Sequence, residues 1–322
     1  MKILITGGGG FIGQALARKL LQNPANRLVL TDKIDFALPP GLPNPENATL
    51  IQADLLDETD EVVRSDLEVV FILHGIMSSG AEANFDLGFQ VNFDATRKLL
   101  DSIRNTAPGI RVIYASSIAV YGRPFPERIT EDVFLAPEGS YGVQKVMCEA
   151  LINEYTRRGF INGFSVRLPG IVVRPGLPAQ AASSFLSGII RDPLAGKRCL
   201  VPTTDRSKEF WVCSPKVLVL NLINVMSLPR HALLLHKRGL NLPGSLVTIQ
   251  QMRDSLEMVG GRDKLDLIEE VEDAEFAQLV SSWPANFDVS LALRLGLRQA
   301  EGFDKAAEEY VQFLEQSKVK TC

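Results

Sequence analysis

A pattern recurs through the first half of the chain: a short apolar, largely β-branched run, then a longer stretch in which apolar residues return every three or four positions. The short runs are Lys2–Thr6, Arg27–Thr31, Thr49–Gln52, Val69–Leu73, Ile110–Ala115 and Phe164–Arg167, each bounded by Gly, Pro, Asn or charged residues. Continuous apolar character predicts strands covered on both faces, as in a parallel sheet. The longer stretches Phe11–Leu21, Ala81–Arg104 and Tyr141–Arg158 predict helices. Their alternation predicts βαβ units and an α/β fold, a Rossmann-type doubly wound parallel sheet.

Beyond residue 168 the texture changes. Pro169, Pro175, Pro178, Pro193 and Pro202 arrive with several glycines, and helical patterns shorten to pieces near 181–191, 215–226, 248–259, 271–281 and 304–317. The expected division is a Rossmann domain over 1–168 and a smaller α+β part over 169–322, some segments of which return to the first sheet. Leu38–Pro45, rich in proline, predicts a surface loop between the second and third strands.

Between the first strand and first helix lies Thr6-Gly7-Gly8-Gly9-Gly10-Phe11-Ile12-Gly13, in which Gly7, Gly10 and Gly13 are spaced G-x-x-G-x-x-G. Such glycines permit a tight turn, let backbone approach a pyrophosphate, and allow close packing of helix on strand. The amides opening the helix, with Phe11 and Ile12 at its start, then face the anion. Asp32 ends the second strand 19 residues after Gly13, where a carboxylate accepts hydrogen bonds from an adenosine ribose. A carboxylate there also repels the 2′-phosphate of NADP, so the expected cofactor is NAD and the first domain its binding domain. Adjacent Lys33 is the residue able to weaken that choice.

Tyr141 and Lys145 are four apart at the start of a predicted helix and share one face. A nearby ammonium stabilises a phenolate and brings tyrosine toward the range of a general base, although an aromatic under a snorkelling lysine gives the same spacing. Ser116-Ser117 end the fifth strand, at the carboxyl edge where open α/β sheets bind ligands. With TGGGGFIG at 6–13, Asp32, Ser117 in SSIAVYG and Tyr141/Lys145 in YGVQK, the chain resembles the extended short-chain dehydrogenase/reductases over nearly its whole length.

The resemblance implies Tyr141 as general base, Lys145 as its pKa-lowering partner and ribose ligand, and Ser117 as the hydroxyl holding the substrate oxygen. It also implies cofactor contacts from Asp54 and Leu55 at the adenine, Gly75 and Ile76 beneath the pyrophosphate, Asn92 on its helix, and Pro169 and Ile171 at the nicotinamide. Plainer readings stay open: an acidic helix cap for Asp54, backbone bonding for Asn92, a loop former for Pro169 and a strand-end polar group for His74.

The substrate half separates members acting on nucleotide sugars from simpler dehydrogenases. Nucleotide-sugar enzymes carry R-D-F-x-x-V-x-D, whereas here Arg206-Ser207-Lys208-Glu209-Phe210-Trp211-Val212-Cys213-Ser214-Pro215 lacks that aspartate pattern. Glu209–Pro215, Asn241-Leu242-Pro243-Gly244 and Asn286-Phe287-Asp288 resemble instead the branch that oxidises short, D-erythronate-like sugar acids beside the carboxylate. Arg174 is the first candidate for that carboxylate and Arg206 the second; Ser78 and Ser79 are candidates for substrate hydroxyls. The alternative is an NDP-sugar epimerase or dehydratase with tightly bound NAD; a non-catalytic NAD sensor would be expected to have lost Tyr141 or Lys145.

Composition narrows the partners. The chain of 322 residues is 46% hydrophobic and 22% charged, with a formal charge of −4, which gives no basic excess for nucleic acid. The apolar stretch Val217–Met226 falls short of a membrane span, and Met1-Lys2 is followed by too short an apolar run for an export signal, so a cytoplasmic location is expected. Cys148, Cys199, Cys213 and Cys322 form no pair pattern and read as reduced thiols; His74, His231 and His236 form no metal motif. The family resemblance implies a homodimer packed through the helices of 81–104 and 141–158.

Overall fold

Within the first strand, β1 (Lys2–Thr6), Ile3 and Ile5 enter one hydrophobic core and Leu4 another, so a single apolar run serves both faces of the sheet. The computed structural model describes residues 1–176 and 182–319. Pro178 and Cys322 lie outside the described residues. The remaining predicted strands are β2 (Arg27–Asp32), β3 (Ala48–Gln52), β4 (Val69–Ile72), β5 (Arg111–Ser117) and β6 (Asn162–Leu168), with ends within two residues of the expected ones.

Helices alternate with them: α1 (Phe11–Leu20), α2 (Thr59–Val62), α3 (Ser78–Ala83), α4 (Phe85–Phe89), α5 (Ala95–Thr106) and α6 (Ser140–Arg157). The single helix expected over Ala81–Arg104 is instead broken. Asn84 caps α4 by accepting from the Leu87 amide at 3.0 Å, and residues Gln90–Asp94 widen into a π-turn before α5.

The second half adds β7 (Gly170–Ile171), α7 (Phe185–Leu194), β8 (Cys199–Val201), β9 (Glu209–Cys213), α8 (Pro215–Met226), β10 (Gly239–Asn241), β11 (Ser245–Thr248), α9 (Ile249–Gly260), β12 (Ile268–Glu270), α10 (Ala274–Ser281), α11 (Ser290–Arg294) and α12 (Phe303–Val319). The main sheet has the order β10-β6-β5-β4-β1-β2-β3, all parallel. Strand β10, absent from the expected set of six, pairs with β6 through Gly239–Asn241. The chain steps outward from β1 to β3 and returns with β4 on the other side of β1, opening a crevice at the carboxyl ends of β1 and β4.

Leu16, Leu20 and α8 residues such as Leu222 cover one face, and Leu99, Ile103 and Ile152 cover the other. A third core, including Ile189, Val201, Phe210 and Met252, belongs to the second half. Among the described residues no helix is long and apolar enough to cross a membrane. Cys148, Cys199 and Cys213 are buried free thiols.

Candidate active site

Four glycines wrap the end of β1. Gly7 adopts φ +66°, and a Cβ there would meet the His74 amide nitrogen at 2.8 Å; a Cβ on Gly13 would overlap the Gly7 carbonyl. The turn is closed by Gly8 N–H donating to Thr31 O at 2.9 Å and Gly10 N–H donating to Gly7 O at 3.0 Å. Gly10 caps α1 without a side-chain acceptor, and the amides of a helix's first turn have no acceptor within the helix. The result is a backbone cradle of donors suited to a pyrophosphate.

Asp32 adjoins this cradle, its Oδ2 accepting from Gly9 N–H at 3.1 Å, and Phe36 packs over Gly9. Lys33 turns away, its Nζ 2.8 Å from Asp54 Oδ2. Asp54 also accepts from Leu56 N–H at 3.0 Å, and the lysine first, then that amide, hold its carboxyl below its usual range. The Leu55 side chain lies in the core.

Past β4, Gly75 leaves room for Asn92, whose Oδ1 would stand 2.9 Å from a Cβ there. Asn92, buried in the π-turn, accepts from Ile76 N–H at 2.7 Å and donates to Ile76 O at 3.0 Å and Gln144 Oε1 at 2.7 Å. It therefore ties the loop after β4 to α6. Gln144, fully buried, was not singled out from sequence; its signal is its place on α6 between Tyr141 and Lys145. His74 bridges Thr6 Oγ1 (2.8 Å from Nδ1) and Thr96 Oγ1 (3.2 Å from Nε2), and burial, with Lys145 nearby, lowers its pKa to about 3. It is a neutral crosslink between β1 and α5.

At the end of β5 the Ser117 hydroxyl accepts from Ala119 N–H at 3.1 Å and faces the Tyr141 phenol. The first turn of α6 comes this close because residue 142 is glycine; a Cβ there would overlap the Ala119 carbonyl. Lys145, 4% exposed, donates from Nζ to Ala115 O at 2.8 Å and lies 5.5 Å from the Tyr141 ring centre and 4.7 Å from that of Tyr114. The structure thus brings Ser117, Tyr141, Lys145 and Gly75 together beside the glycine cradle.

The electrostatic balance differs from the expectation that lysine draws the phenol toward neutrality. Burial pushes Tyr141 up to about 12 against the Ser117 hydrogen bond, and burial brings Lys145 down to about 8. Loss of hydration dominates at both groups, and Lys145 spends its Nζ on the Ala115 carbonyl.

Pro169 and Ile171 are buried where β6 passes into β7. Arg174 follows, its backbone N–H donating to Ser187 Oγ at 3.1 Å; burial first, then Arg191, disfavours its charge. Arg191 is itself paired with Asp192 at 2.8 Å. Arg206, the second candidate for a substrate carboxylate, is engaged with Glu270 at 2.8 Å, which also holds Arg253 at 3.1 Å. Ser78 is exposed at the start of α3.

Comparison with known proteins agrees with this geometry. Residues 3–212 match the model of the NAD dependent epimerase/dehydratase family. A D-erythronate dehydrogenase of Haemophilus influenzae is 38% identical over 317 residues, covering 97% of this chain and 99% of that protein. Another of Cupriavidus necator is 39% identical over 324 residues, covering 97% and 98%. The crystal structure of a nucleoside-diphosphate-sugar epimerase from Agrobacterium tumefaciens superposes with TM-score 0.89 at 32% identity, covering 97% of this chain and 94% of that one. The backbone cradle, the acidic end of β2 and the extent of these matches make the chain a member of the NAD dependent epimerase/dehydratase family.

Proposed function

We propose that the protein oxidises a short, D-erythronate-like sugar acid at the hydroxyl-bearing carbon next to the carboxylate, giving the 2-oxo acid and NADH. The observation that carries this reading is the Ser117, Tyr141 and Lys145 cluster beside the glycine cradle, in a chain whose full-length relatives at 38% and 39% identity are named D-erythronate dehydrogenase. Bound NAD supplies a hydride acceptor. Tyr141 takes the hydroxyl proton at its phenol oxygen, Ser117 donates to the substrate oxygen, and Lys145 supports the phenolate and binds ribose. Asp32 receives the adenosine ribose hydroxyls, Gly7, Gly10, Phe11, Ile12 and Gly13 hold the pyrophosphate, and Asp54 and Leu55 flank the adenine. Gly75, Asn92, Pro169 and Ile171 complete the cofactor wall.

Arg174 anchors the substrate carboxylate, and Ser78 meets a substrate hydroxyl. Support for Arg174 comes from its half-buried position with a second guanidinium nearby, a place where an incoming carboxylate relieves repulsion between like charges. The working unit is a cytoplasmic homodimer, for which Phe85, Leu87 and Val143, 58%, 41% and 40% exposed, offer apolar surface on α4 and α6.

The test incubates the protein with NAD and a panel of four- to six-carbon sugar acids, and in parallel with UDP-sugars. NADH formation with an acid supports the proposal. UDP-sugar interconversion without net NADH, as the name of the Agrobacterium structure would suggest, overturns it.

A further inference from the structure

A charged pair is sealed into the protein directly behind this cluster. Glu149 and Arg167 are 2% and 4% exposed, with Arg167 Nη2 2.7 Å from Glu149 Oε2 and Nε 3.0 Å from Oε1. The Ser116 hydroxyl donates to Glu149 Oε1 at 2.6 Å. On the far side Arg167 Nη1 donates to the Tyr121 hydroxyl at 2.5 Å, which donates to Asn241 Oδ1 at 2.8 Å. Residue 239 is glycine where β10 crosses the pair, and a Cβ there would lie 2.5 Å from Arg167 Nη2.

Each member adjoins a residue of the site. Ser116 precedes Ser117 on β5, Glu149 lies one turn beyond Lys145 on α6, and Arg167 stands two residues before Pro169 on β6. A buried ion pair is weak warrant for stability, since apolar residues of similar volume often serve as well or better. What apolar packing lacks is direction: this pair fixes β5, β6 and α6 relative to one another through bonds of defined angle.

We propose that Glu149 and Arg167 are positioning residues for the reaction, holding Ser117 and Lys145 at a set separation and giving the Lys145 ammonium a carboxylate one helical turn away. The inference rests on the roles proposed above for Ser117 and Lys145. The groups facing Lys145 are Tyr141, Cys148 and Glu149 on its own helix, Tyr114 on β5 and His74 after β4; Cys148 and then Glu149 favour the charged lysine against burial, and among these groups Glu149 is the carboxylate.

Glu149→Gln keeps the shape, removes the charge and strands Arg167. The expected result is a kcat lower by about ten- to a hundredfold, with KM for the acid changed by less than about threefold. The pH at which the rate levels off moves down by about one unit, because Lys145 loses its proton sooner. Glu149→Asp, which keeps the charge, restores the profile and part of the rate. NAD titrations followed by tryptophan fluorescence across the same pH range need no substrate, and their break moves with the same sign in Glu149→Gln.

If Glu149→Gln fails to fold, Glu149→Gln/Arg167→Met replaces both charges and is read the same way; a low kcat and shifted break support the proposal. A variant that folds, retains kcat within about twofold and keeps both pH breaks overturns it, even if its Tm falls. Wild-type protein with NAD and D-erythronate is run alongside: its inactivity counts against the proposed function, whereas the NAD titration still decides the role of Glu149.

Discussion

The Lys33 ammonium lies 2.8 Å from the Asp54 carboxylate, so the lysine that follows Asp32 is turned away from it onto a partner at the end of β3. Lys33 is therefore not held where it would offset Asp32. We expect NAD to be preferred over NADP by roughly tenfold to a thousandfold in kcat/KM. Asp32→Ala narrows that gap from both sides, losing ribose bonds with NAD and repulsion with NADP. Initial rates with the two cofactors check this, and equal use of both by the wild type contradicts it.

Tyr141→Phe deletes one hydroxyl and little packing volume. Turnover is expected to fall to less than a few per cent while NAD affinity stays within about threefold. Lys145→Ala behaves differently, losing both rate and cofactor affinity. Fluorescence titration and initial rates separate the two patterns.

The rate of oxidation depends on pH with a sign set by burial. A proton acceptor is needed, and Tyr141 is pushed up to about 12, so its basic form grows as pH rises; Lys145, brought down to about 8, then loses its charge and its support for the phenolate. kcat/KM for oxidation should climb between about pH 6 and pH 8 and level off above. A profile that falls over that interval contradicts the assignment.

His74 gives an acid-sensitive contribution to stability. Its pKa is lowered from 6.5 to about 3, so the neutral crosslink is fully present above about pH 6.5 and lost as pH falls toward 3. At pH 4.5 the loss is at most about 3 kcal/mol. Urea unfolding at neutral and acid pH measures it, and His74→Gln should flatten the dependence.

The sheet was legible because its strands are buried on both faces, so Val69–Ile72 and its neighbours read as unbroken apolar runs. Strand β10 was not, since Gly-Leu-Asn carries no apolar pattern and exists through its bonds to β6. Within Ala81–Arg104 the stop at Asn84 is a local cap, whereas the π-turn holding Asn92 is tied to Ile76 and Gln144 by bonds that no local propensity encodes. Ser117, Tyr141, Lys145 and the glycines stood out because their chemistry shows in spacing. Glu149 and Arg167 did not, because an isolated Glu on a helix and Arg on a strand read as solvated charges until the fold buries them together.

In the proposed reaction hydride leaves the carbon beside the carboxylate of a short sugar acid. D-erythronate deuterated at that carbon, incubated with NAD and the protein, tests it by mass spectrometry of both products. The expected result is one deuterium in the reduced cofactor and its loss from the acid, which becomes the 2-oxo acid. Deuterium retained in the acid, or released to water without NADH, would contradict it.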